Sequence, residues 1–266
     1  MTMKKNKSIG LALSGGGARG IAHIGVIKAL QENDIHPDII TGASAGSIVG
    51  ALLADGKSVD EMLSFVRDSS IMKIWKLVLP NRGITSLQYL KDRLKLYIGE
   101  DTFESLKTPL YIAVTNLNSG KCEMIHSGKL IDIIMASSSI PLVFQPVEID
   151  GQSYVDGGVL DNLPVGPLLD QKMDLIIGVN VMPHVAIERK SLQGVIGVTT
   201  RCFDLAVLAN TLPSLKHCDV IIEPKGVNEF NIFNFSKVDD LFEIGYKEAQ
   251  SAIPLIKEAL AAEGNT

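Results

Sequence analysis

Ser44 lies in Gly42-Ala43-Ser44-Ala45-Gly46, a G-x-S-x-G pentapeptide. An apolar run at 37–41 (PDIIT) precedes it and reads as a buried strand. A second apolar run at 48–54 (IVGALLA) follows and reads as a buried helix. A serine between strand and helix, flanked by small residues, fits a nucleophile elbow. Gly42 and Gly46 let the chain turn sharply, and the helix dipole sits beneath the hydroxyl. The competing reading is a tight glycine turn with an N-capping serine.

A second cluster, Gly15-Gly16-Gly17-Ala18-Arg19-Gly20, fits G-x-G-x-x-G between a strand at 8–14 (SIGLALS) and a helix that begins at Ile21. Taken alone it suggests a dinucleotide site, which needs an acid at the end of the second strand for the ribose. That strand ends instead in Gly42-Ala43-Ser44, so the nucleotide reading is set aside. Successive glycines can also converge backbone N–H groups on a developing negative charge, the oxyanion hole that a serine nucleophile needs. Arg19 either stabilises that charge, orients the loop, or is a surface arginine at a helix start.

A serine also needs a base. The histidines are His23, His36, His126, His184 and His217. A Ser–Asp–His chain order requires His184 or His217, and neither has a distinguishing context. His23, in the first helix, reads as a packing residue. Asp156 ends a short apolar strand and precedes Gly157 and Gly158. An acid at a strand end beside flexible backbone can face a cleft, although Asp-Gly-Gly is also a common turn.

The elements that would hold these groups alternate strand, glycine turn, helix from residue 8 to residue 54, which predicts an α/β fold with a mainly parallel sheet. Further strands are expected at 110–116, 122–126, 147–149, 175–181 and 219–223. Further helices are expected at 59–67, 87–97, 129–138, 192–209 and 238–262. With 266 residues, 46% hydrophobic, and no repeat or linker, a single domain over 1–266 is the better count. The net charge of −5 and the 5% aromatic content argue against a nucleic-acid partner. Cys122, Cys202 and Cys218 form neither a disulfide framework nor a zinc pattern, and are expected to be buried or idle thiols. No metal or cofactor is expected. No segment approaches the ~20 apolar residues of a membrane span, so the expected location is cytoplasmic.

Charge is unevenly spread. Residues 71–98 carry six basic residues against one acid, and hold the only tryptophan, Trp75. Basic residues beside Trp and aliphatics suit peripheral contact with an anionic membrane. The alternative is a helix pair packed on its own domain with a solvated basic face.

Taken together, the chain resembles the bacterial patatin-like phospholipases. The resemblance rests on 15–20, 42–46 and 156–158 in that order. Context adds to it: Leu11-Ala12-Leu13-Ser14, Ala136-Ser137-Ser138-Ser139-Ile140-Pro141 with Phe144 and Pro146, and Asn162-Leu163-Pro164. The resemblance implies a three-layer α/β/α sandwich and hydrolysis of a fatty acyl ester or phospholipid. It implies a Ser–Asp dyad, with Ser44 as nucleophile and Asp156 as base. It places Gly15, Gly16 and Gly17 in the oxyanion hole with Arg19 beside it.

Overall fold

The structure is a computed structural model that describes residues 7–67, 87–184, 186 and 194–262. Of the basic stretch at 71–98, residues 71–86, Trp75 included, lie outside the described residues.

The apolar run that follows Ser8 becomes β1 (Ile9–Leu13), buried throughout. It is joined through α1 (Ile21–Gln31) to β2 (Ile39–Gly42) and then α2 (Ala45–Ala54). Next come α3 (Val59–Arg67), α4 (Gln88–Tyr97), β3 (Leu110–Asn116), β4 (Lys121–Ile125) and α5 (Leu130–Ser137). The chain continues with β5 (Val147–Ile149), β6 (Gln152–Asp156), α6 (Gly166–Asp170) and β7 (Leu175–Val179). It closes with α7 (Gly194–Leu215), β8 (Val220–Ile222) and α8 (Val238–Ala261).

One sheet runs β5-β6-β3-β2-β1-β7-β8, with β4 also paired to β3. The five strands β3-β2-β1-β7-β8 are parallel neighbours. Strands β4, β5 and β6 pair antiparallel, so the sheet is mixed at one end.

Strand β1 shows why there are three layers. Its Ile9, Leu11 and Leu13 join a large core with α1, α2, α5 and α8. Its Ala12 faces the other way, onto Leu163, Val165, Leu168 and Ile176. A strand buried on both faces needs cover on both, which is the α/β/α arrangement.

Two boundaries differ from expectation by three residues or more. Helix α2 begins at Ala45, directly after the serine, rather than at Ile48. Helix α7 continues to Leu215 through Pro213. It is held there by Asn210 Nδ2, which donates to the carbonyls of Gly158 and Val159. Tertiary anchoring overrides the helix-breaking tendency of proline near a helix end. The short α6, with Pro167 in its first turn, was not anticipated. All three cysteines are free thiols; Cys122 and Cys218 are partly buried and Cys202 is exposed.

Candidate active site

Strand register brings Ser44 and Asp156 together. On β3, Ile112 pairs with both Gly42 of β2 and Ile125 of β4. Val114 pairs with both Asp156 of β6 and Glu123 of β4. A strand has only two edges, so β2 and β6 share one edge of β3 and β4 occupies the other. Strand β2 runs parallel to β3 and β6 runs antiparallel, so their C-terminal ends meet head to head beside Ala113. The residues that leave these ends are Ser44 and Asp156. They are 112 positions apart in sequence, and the Ser44 hydroxyl donates to Asp156 Oδ2 at 2.6 Å.

The gap between the strand ends is itself bonded. The Ser137 hydroxyl donates to the Ala113 carbonyl at 2.8 Å and accepts the Ser44 N–H at 2.9 Å. Ser44 has φ 51° and ψ −122°, a backbone region that side chains rarely adopt. The flanking glycines are required by close approach: a Cβ on Gly46 would run into the Leu13 carbonyl, and one on Gly42 would lie 2.6 Å from the Gly46 carbonyl oxygen.

Asp156 is 3% exposed. Its Oδ1 accepts the Gly158 N–H at 2.8 Å, and its backbone carbonyl accepts the Thr115 hydroxyl at 3.0 Å. Burial pushes the carboxyl up to about 7, against the lowering effect of the bonds from Ser44 and Gly158. A carboxylate with a pKa near neutrality is matched to general-base work. Gly157 lies against the Ala113 carbonyl and leaves no room there for a side chain.

The glycine loop lies over this pair. Gly16 and Gly17 line the same cleft as Ser44 and Asp156, together with Ile140, Asn162 and Ile232. Among the described residues, neither the Gly16 nor the Gly17 N–H has a hydrogen-bond partner, whereas the Gly15 N–H donates to the Asn162 carbonyl at 3.1 Å. Gly15 is therefore corrected from a donor to a spacer: a Cβ there would sit 2.5 Å from Asn162 Oδ1 and 3.0 Å from Ser44 Cβ. Gly17 has φ 58°. Gly20 packs against the Ala45 methyl.

Arg19 does not line the cleft. Its Nε donates to the Phe230 carbonyl at 2.9 Å, and Nη1 reaches Asn228 Oδ1 at 3.4 Å and Met182 Sδ at 3.6 Å. These contacts tie the loop to the segment before α8 and to Met182 after β7, so the geometry supports loop orientation rather than direct charge contact.

None of the five histidines lines the cleft. His23 is fully buried below the loop, and its Nε2 is 2.9 Å from the Ser14 carbonyl oxygen. Only a protonated Nε2 can donate to that oxygen. Burial lowers its pKa to about 4, against the effect of that bond, so the ring is neutral at pH 7. His184 and His217 are exposed. His184→Ala and His217→Ala are each expected to keep kcat/KM within about threefold of the parent; a loss of 100-fold or more with folding intact would restore the triad.

Sequence reasoning assigned no role to Ser137 and Asn162, although both fall within the stretches that carried the resemblance. A second, almost wholly apolar pocket lies on the other side of the loop and elbow. Gly17, Gly20 and Ala45 form one wall, and Val49, Phe65 and Leu90 form part of the rest.

The family model for patatin-like phospholipases matches residues 11–169. An uncharacterized NTE family protein of Mycobacterium tuberculosis is 37% identical over 176 residues, 65% of this chain and 49% of that protein. Lysophospholipase NTE1 of Coccidioides immitis is 29% identical over 283 residues, 94% of this chain and 18% of that protein. The chain thus spans about half the length of the mycobacterial relative and less than a fifth of the fungal one. Among solved structures, VipD from Legionella pneumophila superposes with a TM-score of 0.57 at 17% identity, over 96% of this chain and 67% of that one, a likeness of fold. The match to the family model, over more than half of the sequence and all three glycine motifs, makes this chain a member of the patatin-like phospholipase family.

Proposed function

We propose that the protein is a serine acyl hydrolase that cleaves a fatty acyl ester of a phospholipid or lysophospholipid with a Ser44–Asp156 dyad. The observation that carries this reading is the 2.6 Å hydrogen bond from the Ser44 hydroxyl to a buried carboxylate, in a cleft also lined by Gly16 and Gly17, whose N–H groups have no partner among the described residues. The relatedness to fungal lysophospholipases supports a lipid ester as substrate.

In the first half-reaction Asp156 Oδ2 takes the Ser44 proton as Oγ bonds to the ester carbonyl carbon. The carbonyl oxygen becomes an oxyanion, for which the N–H groups of Gly16 and Gly17, lining the same cleft, are the donors this reading assigns. Each such donor is worth about 2.7–4 kcal/mol of transition-state stabilisation. Collapse breaks the ester C–O bond, and Asp156 returns the proton to the departing alkoxide. In the second half-reaction Asp156 deprotonates a water that attacks the acyl-enzyme carbonyl. Collapse then frees the fatty acid and Ser44 regains its proton. The chemistry asks for no metal, and no group of metal-ligating side chains occurs among the described residues.

The apolar pocket behind Gly17 and Ala45 supports placing the acyl chain there. Val49→Phe would fill part of it. With each methylene worth about 0.8 kcal/mol when buried, the variant is expected to lose roughly tenfold or more on long-chain p-nitrophenyl esters, with the butyrate ester within about threefold. Equal losses on both would place the chain elsewhere.

The reading is tested by a panel of p-nitrophenyl esters, lysolipid, phospholipid and triacylglycerol, run beside Ser44→Ala, with fluorophosphonate labelling as a second readout. Labelling of Ser44 and turnover of at least one acyl ester are expected. A folded protein that neither labels nor turns over any ester would overturn the reading in favour of a lipid-binding relative. Among the described residues no helix is long and apolar enough to cross a membrane.

A further inference from the structure

Helix α7 is built inside out. Of its 22 residues only Arg201 and Asp204 are charged. Its inner side carries much of its polarity. Phe203, Asp204 and Val207 line the Ser44 cleft, Asn210 bonds the carbonyls that follow Gly157, and Thr211 is buried. Burial raises the Asp204 carboxyl, while Arg201 and Arg19 draw it back down.

The outer side is apolar. Val195, Val198, Cys202, Leu205, Ala209 and Leu212 follow one another at spacings of three and four, and all six are exposed. Ala206 and Pro213 widen this stripe, so that at 100° per residue it covers an arc of roughly 120° without a charge. A surface helix ordinarily turns such an arc toward its core.

Two more exposed leucines stand next to the same cleft. Leu142, two residues after the cleft residue Ile140, is 73% exposed and holds φ 71°, a left-handed backbone that a bulky residue seldom adopts. Leu160, two residues after the cleft residue Gly158, is 40% exposed. Apolar side chains exposed together beside a cleft are the mark of an interaction site rather than of a solvated surface.

We propose that the outer face of α7, with Leu142 and Leu160, seats the protein on a lipid surface of zwitterionic head groups, the mouth of the Ser44 cleft facing the lipid. The choice of a lipid surface over a protein partner rests on the reading of Ser44 as the nucleophile of a lipid ester hydrolase. It follows from continuity: one helix forms the cleft wall with its inner side and the docking face with its outer side, so a seated molecule meets its substrate without leaving the surface. The missing charge sets the lipid class. An arc of aliphatic side chains gains by burial in the acyl boundary and gains nothing from anionic head groups. The basic stretch at 71–98 would instead predict binding that needs anionic lipid and falls with salt.

The test uses the full chain with Ser44→Ala, which cannot consume the vesicles, in co-sedimentation with pure phosphatidylcholine vesicles at low and high salt. The parent is expected to bind at both, within about twofold. Adding Leu205→Asp and Leu212→Asp is expected to lower the partition coefficient at least about tenfold. Neither leucine lines the cleft. With Ser44 restored, the double variant is expected to hydrolyse a water-soluble short-chain ester within about twofold of the parent and vesicular lipid about tenfold more slowly. The soluble ester controls for folding, and a fluorophore on the exposed Cys202 gives a second readout of insertion.

Unchanged vesicle binding by the double variant would overturn the proposal. So would a parent dimer that the double variant splits while vesicle binding stays as it was, which would assign the face to a second copy of the chain. If vesicle binding is lost in the double variant but the parent hydrolyses no ester, the docking face stands and the hydrolase reading falls.

Discussion

Ser44→Ala protein is expected to fold, to fail to label with fluorophosphonate, and to lose about 10⁴-fold or more in kcat/KM on every ester the parent cleaves. The size of the effect follows from the absence of a substitute. The Asp156 carboxylate is held 2.6 Å from the Ser44 oxygen, and Ser137 and Ser47 are tied to backbone carbonyls rather than to Asp156. The Ser44→Gly protein is expected to be equally inactive, yet to differ in stability. At φ 51° and ψ −122° alanine keeps the strain of the native elbow and glycine relieves it, an effect of about 1 kcal/mol. Thermal melts of the two variants separate backbone strain from chemistry. A Ser44→Ala protein that retains turnover at more than about one hundredth of the parent rate would remove Ser44 from the mechanism.

The elbow and the loop were legible because both are local. A G-x-S-x-G between apolar runs is read over a dozen residues, and the fold needs those glycines for contacts within the same strand-turn-helix unit or with β1. The pairing of Ser44 with Asp156 was not legible from spacing. It depends on β2 and β6 sharing one edge of β3 while running in opposite senses, a fact of register across 112 positions. Residue context offered Asp156 as a candidate base, and the resemblance to a family joined the two as a dyad. The demotion of Gly15 from donor to spacer was hidden for a similar reason: the carbonyl that takes its N–H belongs to Asn162, 147 positions away. Arg19 shows the limit of residue type as a guide. A cation beside an anion site suggests direct contact, yet the guanidinium turns to Phe230, Asn228 and Met182, partners outside the motif. The outward face of α7 escaped because its periodicity is that of any packed amphipathic helix, and only the burial shows which side the protein covers.

Asp156→Asn protein is expected to be as inactive as Ser44→Ala and, at pH 8, more stable than the parent. Asparagine keeps the shape and can keep both bonds, with Oδ1 accepting from Gly158 and Nδ2 donating to Ser44, but it cannot take the serine proton. Stability follows from linkage. The folded carboxyl titrates near 7 against an unfolded value close to 3.8, so the folded state binds the extra proton between those two pH values. The stability that the protonated carboxyl contributes is fully present below about 3.8 and is lost as pH rises through about 7. Above neutrality the buried charge costs on the order of 4 kcal/mol, which asparagine never incurs. Chemical denaturation of parent and variant should therefore diverge from pH 4 to pH 7 and run parallel above it. Activity moves the opposite way. Asp156 must be ionised in the free enzyme to act as a base, so kcat/KM of the parent rises with pH through about 7 and then levels. A parent rate flat from pH 5 to pH 8, or a variant no more stable than the parent at pH 8, would show that Asp156 is not the buried, weakly acidic base described here. If both trends appear, one carboxylate accounts for both: the desolvation that destabilises the fold above pH 7 is what raises the dyad's base into its working range.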